Sequence, residues 1–249
     1  MKRLLVLTMV LGFVALAGRA AHAVNLLANP DLDTVAVSTQ VNATPVSWTA
    51  LSSKSVSGAF NDGLDSEGFA NVLQAGGMGV FFKPFQGNLA NPNATPPLAA
   101  NLVSASLSQD VAGTAGAKYT LTGWAGAEAN YVGLSDPSVK SQFVLQFLNG
   151  ANSVLGSSTL DLNTVGLGVS GLPAPFGYNT YSVSGTAPAG TVVVRSIAQM
   201  LNAYANPLGG GQAFVVDSFN LAKVVPEPAS IVLGMIAAAG MFGLVRRRS

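Results

Sequence analysis

Between residues 24 and 224, apolar and polar positions alternate over short stretches and never settle into a sustained 3.6-residue period, which predicts strands and no helices. The alternation is clearest from Lys118 onward, where Tyr119, Leu121, Gly123 and Ala125 share one face, and after Ser141, where Phe143, Leu145 and Phe147 do. Asn149-Gly150 follows directly, so 142–148 is expected to fold back on 153–160 as a hairpin. Further strands are expected at 178–186, 191–200 and 212–224, with Pro188-Ala189-Gly190 turning between the first two, and at 101–111 on Leu102, Val103, Ala105 and Leu107. Before residue 100 the pattern thins. Short strands are expected at 46–50 and 68–73 on either side of a polar loop at 52–67, with Asn61-Asp62-Gly63 at a turn. The stretch 76–85 sets Phe81, Phe82 and Phe85 around Lys83-Pro84, and 87–100 is a loop rich in Asn-Pro and Pro-Pro steps. The fold class expected from this pattern is all-β.

The two ends differ from this body. Residues 1–23 have Lys2 and Arg3, an apolar run at 4–17 and the small-x-small site Ala21-His22-Ala23, the makeup of a cleaved secretory signal peptide. Residues 225–249 read Val225-Pro226-Glu227-Pro228, then an uncharged run at 229–245, then Arg246-Arg247-Arg248. About 17 residues at a rise of about 1.5 Å barely cross a hydrocarbon core of about 30 Å, and the arginines hold the far end on the cytoplasmic side. The expected organisation is thus a signal peptide at 1–23, one body at 24–224, and a sorting or anchor segment at 225–249 with a short transmembrane helix.

Removing the ends reverses the charge. The whole chain has 12 basic and 11 acidic residues, but Lys2, Arg3, Arg19, Arg246, Arg247, Arg248 and Glu227 are terminal, which leaves the body six against ten, a net charge of −4. No basic stripe remains, so nucleic acid is excluded as a partner. The chain has no cysteine, and its one histidine, His22, lies in the leader. The body therefore lacks Ser-His-Asp and Cys-His nucleophiles and His-ligated zinc. A carboxylate pair of the glycosidase kind is the chemistry left open. The close sequence clusters are Asp31 with Asp33, and Asp62 with Asp65 and Glu67, the latter expected in a solvated loop. An enzyme is therefore not expected.

The Pro-Glu-Pro box, short span and terminal arginines resemble the PEP-CTERM sorting signal of Gram-negative bacteria. The resemblance implies export across the inner membrane, transient anchoring, recognition by an exosortase, and delivery to the cell surface or the exopolysaccharide matrix. In the body, Asn25-Leu26-Leu27-Ala28-Asn29-Pro30-Asp31-Leu32-Asp33, Leu107-Ser108-Gln109-Asp110-Val111, Ala187-Pro188-Ala189-Gly190 and Phe214-Val215-Val216-Asp217-Ser218-Phe219-Asn220-Leu221 together resemble a jelly-roll β-sandwich of the galactose-binding-domain-like, carbohydrate-binding-module type. Asp31 and Asp33 depart from that family's Gly and Glu. The resemblance implies a structural Ca²⁺ shared by Asp33 and Asp217, with no other cofactor required.

A sugar offers an apolar face and a ring of hydroxyls, so its site needs an aromatic side chain with amides or carboxylates beside it. Trp124, Glu128, Asn130 and Tyr131 form such a set at one strand end. The competing reading has Trp124 filling the core across from Tyr119. Phe81, Phe82 and Phe85 face the same choice, and Tyr204 with Asn206 is a third option. Three functions compete: a non-catalytic carbohydrate-binding surface protein associated with exopolysaccharide, a structural matrix protein with no small ligand, and a carboxylate-dependent glycosidase.

Overall fold

The computed structural model describes residues 24–35, 44–53, 63–68, 77–90, 93, 95, 100–169 and 175–224. Ten strands run through them: β1 (Thr49–Ser52), β2 (Gly63–Glu67), β3 (Gly79–Lys83), β4 (Val103–Ala112), β5 (Lys118–Ala127), β6 (Lys140–Leu148), β7 (Val154–Asp161), β8 (Asn179–Thr186), β9 (Val193–Ala203) and β10 (Phe214–Val224). They pair into two five-stranded antiparallel sheets, β1-β4-β9-β6-β7 and β2-β3-β10-β5-β8. The chain changes sheet at every connection except β2 to β3 and β6 to β7. Each sheet buries its inner face on the other, and the protein is a β-sandwich.

Period-two alternation sets which side chains meet between the sheets. Tyr119, Leu121 and Ala125 of β5 point inward, as do Phe143, Leu145 and Phe147 of β6, and they join Leu107, Ala198, Met200, Phe214 and Val216 in one continuous core. Close approach demands glycine at one inner position. A Cβ on Gly123 would lie 2.5 Å from the ring of Phe219, so the bare backbone of β5 makes room for that side chain.

The hairpin forms as expected, with Gln142 to Leu148 paired to Asp161 back to Val154. Its turn uses different chemistry from the Asn-Gly expectation. Asn149 Oδ1 accepts from the N–H groups of Ala151 and Ser153, and Asn152, not Gly150, takes the left-handed conformation at φ 63°. The strands expected at 178–186, 191–200, 212–224 and 101–111 are β8, β9, β10 and β4, each within a few residues of its predicted bounds. Near the start, the expected strand at 46–50 is displaced to β1, and of 68–73 only Gly68 is described.

The polar-loop expectation for 52–67 is corrected. Gly63–Glu67 is a buried strand, in which Asp65 and Glu67 are 2% and 8% exposed. Lys83, on the neighbouring strand, forms ion pairs with both carboxylates, which lets two acidic residues enter a sheet.

The asparagines of the N-terminal stretch are clasps. A bulge between Asp217 and Asn220 interrupts β10 where the short β3 ends, with Ser218 at φ 49°. Asn25 occupies the backbone left open there. Its amide donates to Phe219 O and its Oδ1 accepts from Leu221 N, while Leu26 N donates to Leu221 O. Gln109 grips Ala28 through both its N–H and its carbonyl, and Asn29 O accepts from Trp48 Nε1 at 3.0 Å. The segments 1–23 and 225–249, with Val225, Pro226, Glu227, Pro228 and Arg246–Arg248, lie outside the described residues; no described helix is long and apolar enough to cross a membrane.

Candidate functional site

The outer face of the β2-β3-β10-β5-β8 sheet has two unlike halves. Over β2, β3 and β10 it holds Asp65, Glu67, Phe81, Lys83, Val215 and Asp217, and these side chains are buried. The turn at Pro175–Gly177 lies on this half, and a Cβ on Gly126 would stand 2.2 Å from Phe176 O, so only glycine on β5 lets that turn come down. Phe176 meets Phe81 edge-on at 5.3 Å and Tyr178 edge-on at 5.9 Å, which makes a second small apolar cluster outside the sandwich core. Lys83 Nζ sits 5.7 Å from the Phe81 ring centroid.

The other half, over β5 and β8, is open. The register places Trp124 opposite Thr180, Thr122 opposite Ser182, and Thr120 opposite Ser184, with Asn220 on the far side of Thr122. Thr180, Ser182, Ser184 and Asn220 are exposed, and Thr120 and Thr122 are half-buried. Thr120 Oγ1 and Ser184 Oγ lie 2.8 Å apart, so a lane of hydroxyls and amides with no charge leads away from Trp124. The indole packs on the Phe81–Phe176–Tyr178 cluster and stays half-exposed at the head of this lane.

The other members of the sequence-predicted set do not join Trp124. Tyr131 is turned into the core, stacked on Phe214 at 6.2 Å, with its hydroxyl 2.8 Å from Ser141 Oγ. Glu128 Oε2 accepts from Ala213 N, and Asn130 donates to Gly209 O and accepts from Asn206 Nδ2, so both pin the loop between β9 and β10. Tyr204 donates to Asp136 Oδ2 at 2.9 Å and belongs to the same tie. Of the phenylalanines, Phe82 is in the sandwich core, Phe81 in the outer cluster, and Phe85 partly exposed.

Asp33 and Asp217 come to the same end of β3. Asp33 Oδ1 accepts from Met78 N, and continuing the β3–β10 register sets Asp217 opposite Gly79. Calcium takes roughly six to eight oxygens, and among the described residues no group of three or more His, Cys, Asp or Glu converges to hold a metal.

Three phenols give the fold a pH limit. Burial raises the Tyr131 hydroxyl far above its ordinary value of 10.0, burial and then the charge of Asp217 raise Tyr178, and burial with the Asp136 hydrogen bond raises Tyr204. A group whose folded pKa lies above its unfolded one stabilises fully below the unfolded value and loses that contribution as pH rises beyond it. The unfolding midpoint in urea should therefore hold as pH rises to about 10 and fall steeply above it. Tyr131→Phe should flatten that alkaline limb; an unchanged slope would mean that Tyr131 ionises without leaving its site.

No family model matches this chain, and no curated protein does. Solved structures similar to it include a cyclase from Fischerella sp. TAU at 14% identity and a TM-score of 0.49, covering 82% of this chain and 99% of that one. The carbohydrate-binding module TmCBM61, solved with β-1,4-galactotriose, is similar at 14% identity and a TM-score of 0.43, covering 81% of this chain and all of that one. The enzymatically active domain of bacteriophage CBA120 tailspike protein 4 is similar at 10% identity and a TM-score of 0.46, and this chain spans 21% of its length.

Proposed function

We propose that the protein is an exported surface protein whose body is a non-catalytic, carbohydrate-binding jelly roll, sorted by an exosortase through its 225–249 segment and associated with exopolysaccharide. The observation that carries the binding reading is Trp124, half-exposed at the head of the uncharged Thr122, Thr120, Ser182 and Ser184 lane. An indole face covers the C–H face of a pyranose while neighbouring hydroxyls and amides exchange hydrogen bonds with its ring of hydroxyls. Turnover is not part of the proposal. The body has no histidine or cysteine, and Asp65 and Glu67, the acidic pair closest in sequence on this face, are already ion-paired with Lys83.

Only two tryptophans are present, and Trp48 is buried, so a change of intrinsic fluorescence with added polysaccharide reports on Trp124. Titration with a panel of neutral polysaccharides should shift the emission, and Trp124→Ala should weaken retention in polysaccharide-containing gels by about tenfold or more, equivalent to about 1.4 kcal/mol. Equal retention of the variant and the parent, or none by either on any polysaccharide, would refute the binding reading. Release of reducing sugar by the parent would refute the non-catalytic one.

A further inference from the structure

We propose that β7 is an assembly edge, which pairs antiparallel with β7 of a second copy of this chain and joins two five-stranded sheets into one. Strand β6 holds one side of β7 along its whole length, and among the described residues no strand lies on the other. The stretch Val154-Leu155-Gly156-Ser157-Ser158-Thr159-Leu160 contains no charge and no proline. Asp161, at its end, is already engaged by Lys140 Nζ at 3.0 Å. Val154, Leu155, Ser157 and Thr159 are exposed in the folded chain. A row of free backbone N–H and C=O groups on such a strand is a template for another strand, and proteins that must stay apart blunt it with shortness, charge or proline.

The other three edges are blunted or covered. Strand β1 has four residues, and β2 has five and carries Asp65 and Glu67. Strand β8 has eight, but Tyr181 Oη donates to Gly166 O and accepts from Gly168 N, and a Cβ on Gly168 would stand 3.0 Å from the Asn179 amide, so the chain at 166–168 packs along its first half. The one irregularity on β7 is a bulge facing Phe147 and Leu148, which leaves Gly156–Asp161 in unbroken register.

The occupant is set by charge and symmetry. A strand crossing its own copy about a two-fold axis meets the same residues in reverse, so any charge on the flat segment would face a like charge nearby. This segment has only Gly, Ser, Thr and Leu before Asp161, and Ser–Thr pairs across an antiparallel ladder hydrogen-bond each other. On a body of net charge −4, it is a place where two copies meet without opposing carboxylates. The pairing leaves the Trp124 face, on the other sheet, free on both copies, so two glycan sites would act together.

The chain has no cysteine, which permits a direct test on the full-length protein. Antiparallel partners lie within the Cα separation that a disulfide spans. Single Ser157→Cys, Ser158→Cys and Thr159→Cys variants, oxidised at low concentration, should give a disulfide-linked dimer for at least one position, whereas Ser182→Cys on β8 should not. Thr159→Lys and Thr159→Glu should each abolish dimer in sedimentation velocity while keeping the parent's melting temperature, and mixing the two should restore it. A monomeric parent overturns the proposal. So does a dimer that cross-links as well through Ser182→Cys, or one that survives both Thr159 substitutions.

Discussion

Replacing Lys83 by Met is expected to lower the unfolding free energy by about 3–5 kcal/mol, because it removes the shared cation from two buried carboxylates. The Lys83 side chain is 9% exposed, that of Asp65 3% and that of Glu67 11%, so water cannot take over the role of the ammonium. Phe81 adds to the loss, since its ring face lies under the same nitrogen. The loss is large against a total stability of about 5–15 kcal/mol for a domain of this kind. Replacing all three charges, as Lys83→Met with Asp65→Asn and Glu67→Gln, should recover most of it, since neutral amides are far cheaper to bury than bare carboxylates. Urea unfolding followed by fluorescence measures both variants. A Lys83→Met protein within about 0.5 kcal/mol of the parent would show that the two acids lie in water after all.

That ion cluster also marks where the sequence could not be read. Strands β4, β5 and β6 are legible because apolar side chains recur at alternate positions, Val103, Ala105 and Leu107, then Tyr119 and Leu121, then Phe143, Leu145 and Phe147, with Ser, Thr or Gln between most of them, the pattern of a half-buried sheet. Strand β2 reads Gly-Leu-Asp-Ser-Glu, and nothing local marks it as buried. Its cover comes from β3, the next strand along the chain, whose Lys83, sixteen positions beyond Glu67, pairs with both acids. The clasp asparagines were visible as a motif, but their targets were not, because Asn25 meets Phe219 and Leu221 across almost the whole length of the body.

For the site, the parity of β5 held more than composition did. Once Tyr119, Leu121, Gly123 and Ala125 face inward, Trp124 must face outward, which excludes the core position across from Tyr119. The same rule separates Trp124 from Tyr131, whose intervening residues leave the strand at Ala127 and turn the phenol back into the sandwich. Glu128 and Asn130 looked like ligand groups because amides and carboxylates near an aromatic side chain suit sugars. Their bonds to the loop at 209–213 were not readable, since a Gly-rich loop carries no pattern that says what it leans on.

Phe219→Ala is expected to cost about 3–5 kcal/mol, the upper range for removing a buried aromatic side chain, because this ring joins three separate parts of the chain. It lies 5.3 Å from Trp48 and 5.3 Å from Phe143, and it fills the space that the missing side chain of Gly123 leaves. It also stands within the bulge of β10, where its own N–H donates to Pro30 O and its carbonyl accepts from Asn25. Truncation therefore empties a cavity and loosens the docking of residues 25–32, whose Leu32 is fully buried. The reciprocal change reads the same contact from the other side. Gly123→Ala would place a methyl group 2.5 Å from the Phe219 ring and should cost about 1–3 kcal/mol by overpacking. In the pair Gly123→Ala with Phe219→Leu, the smaller side chain should admit the methyl group, so the double variant should be more stable than the sum of the single losses predicts. Urea unfolding of the four proteins gives the coupling, with Trp48 emission reporting the local loss. Strict additivity would place Phe219 away from Gly123 and undo the account of why β5 carries a glycine in its middle.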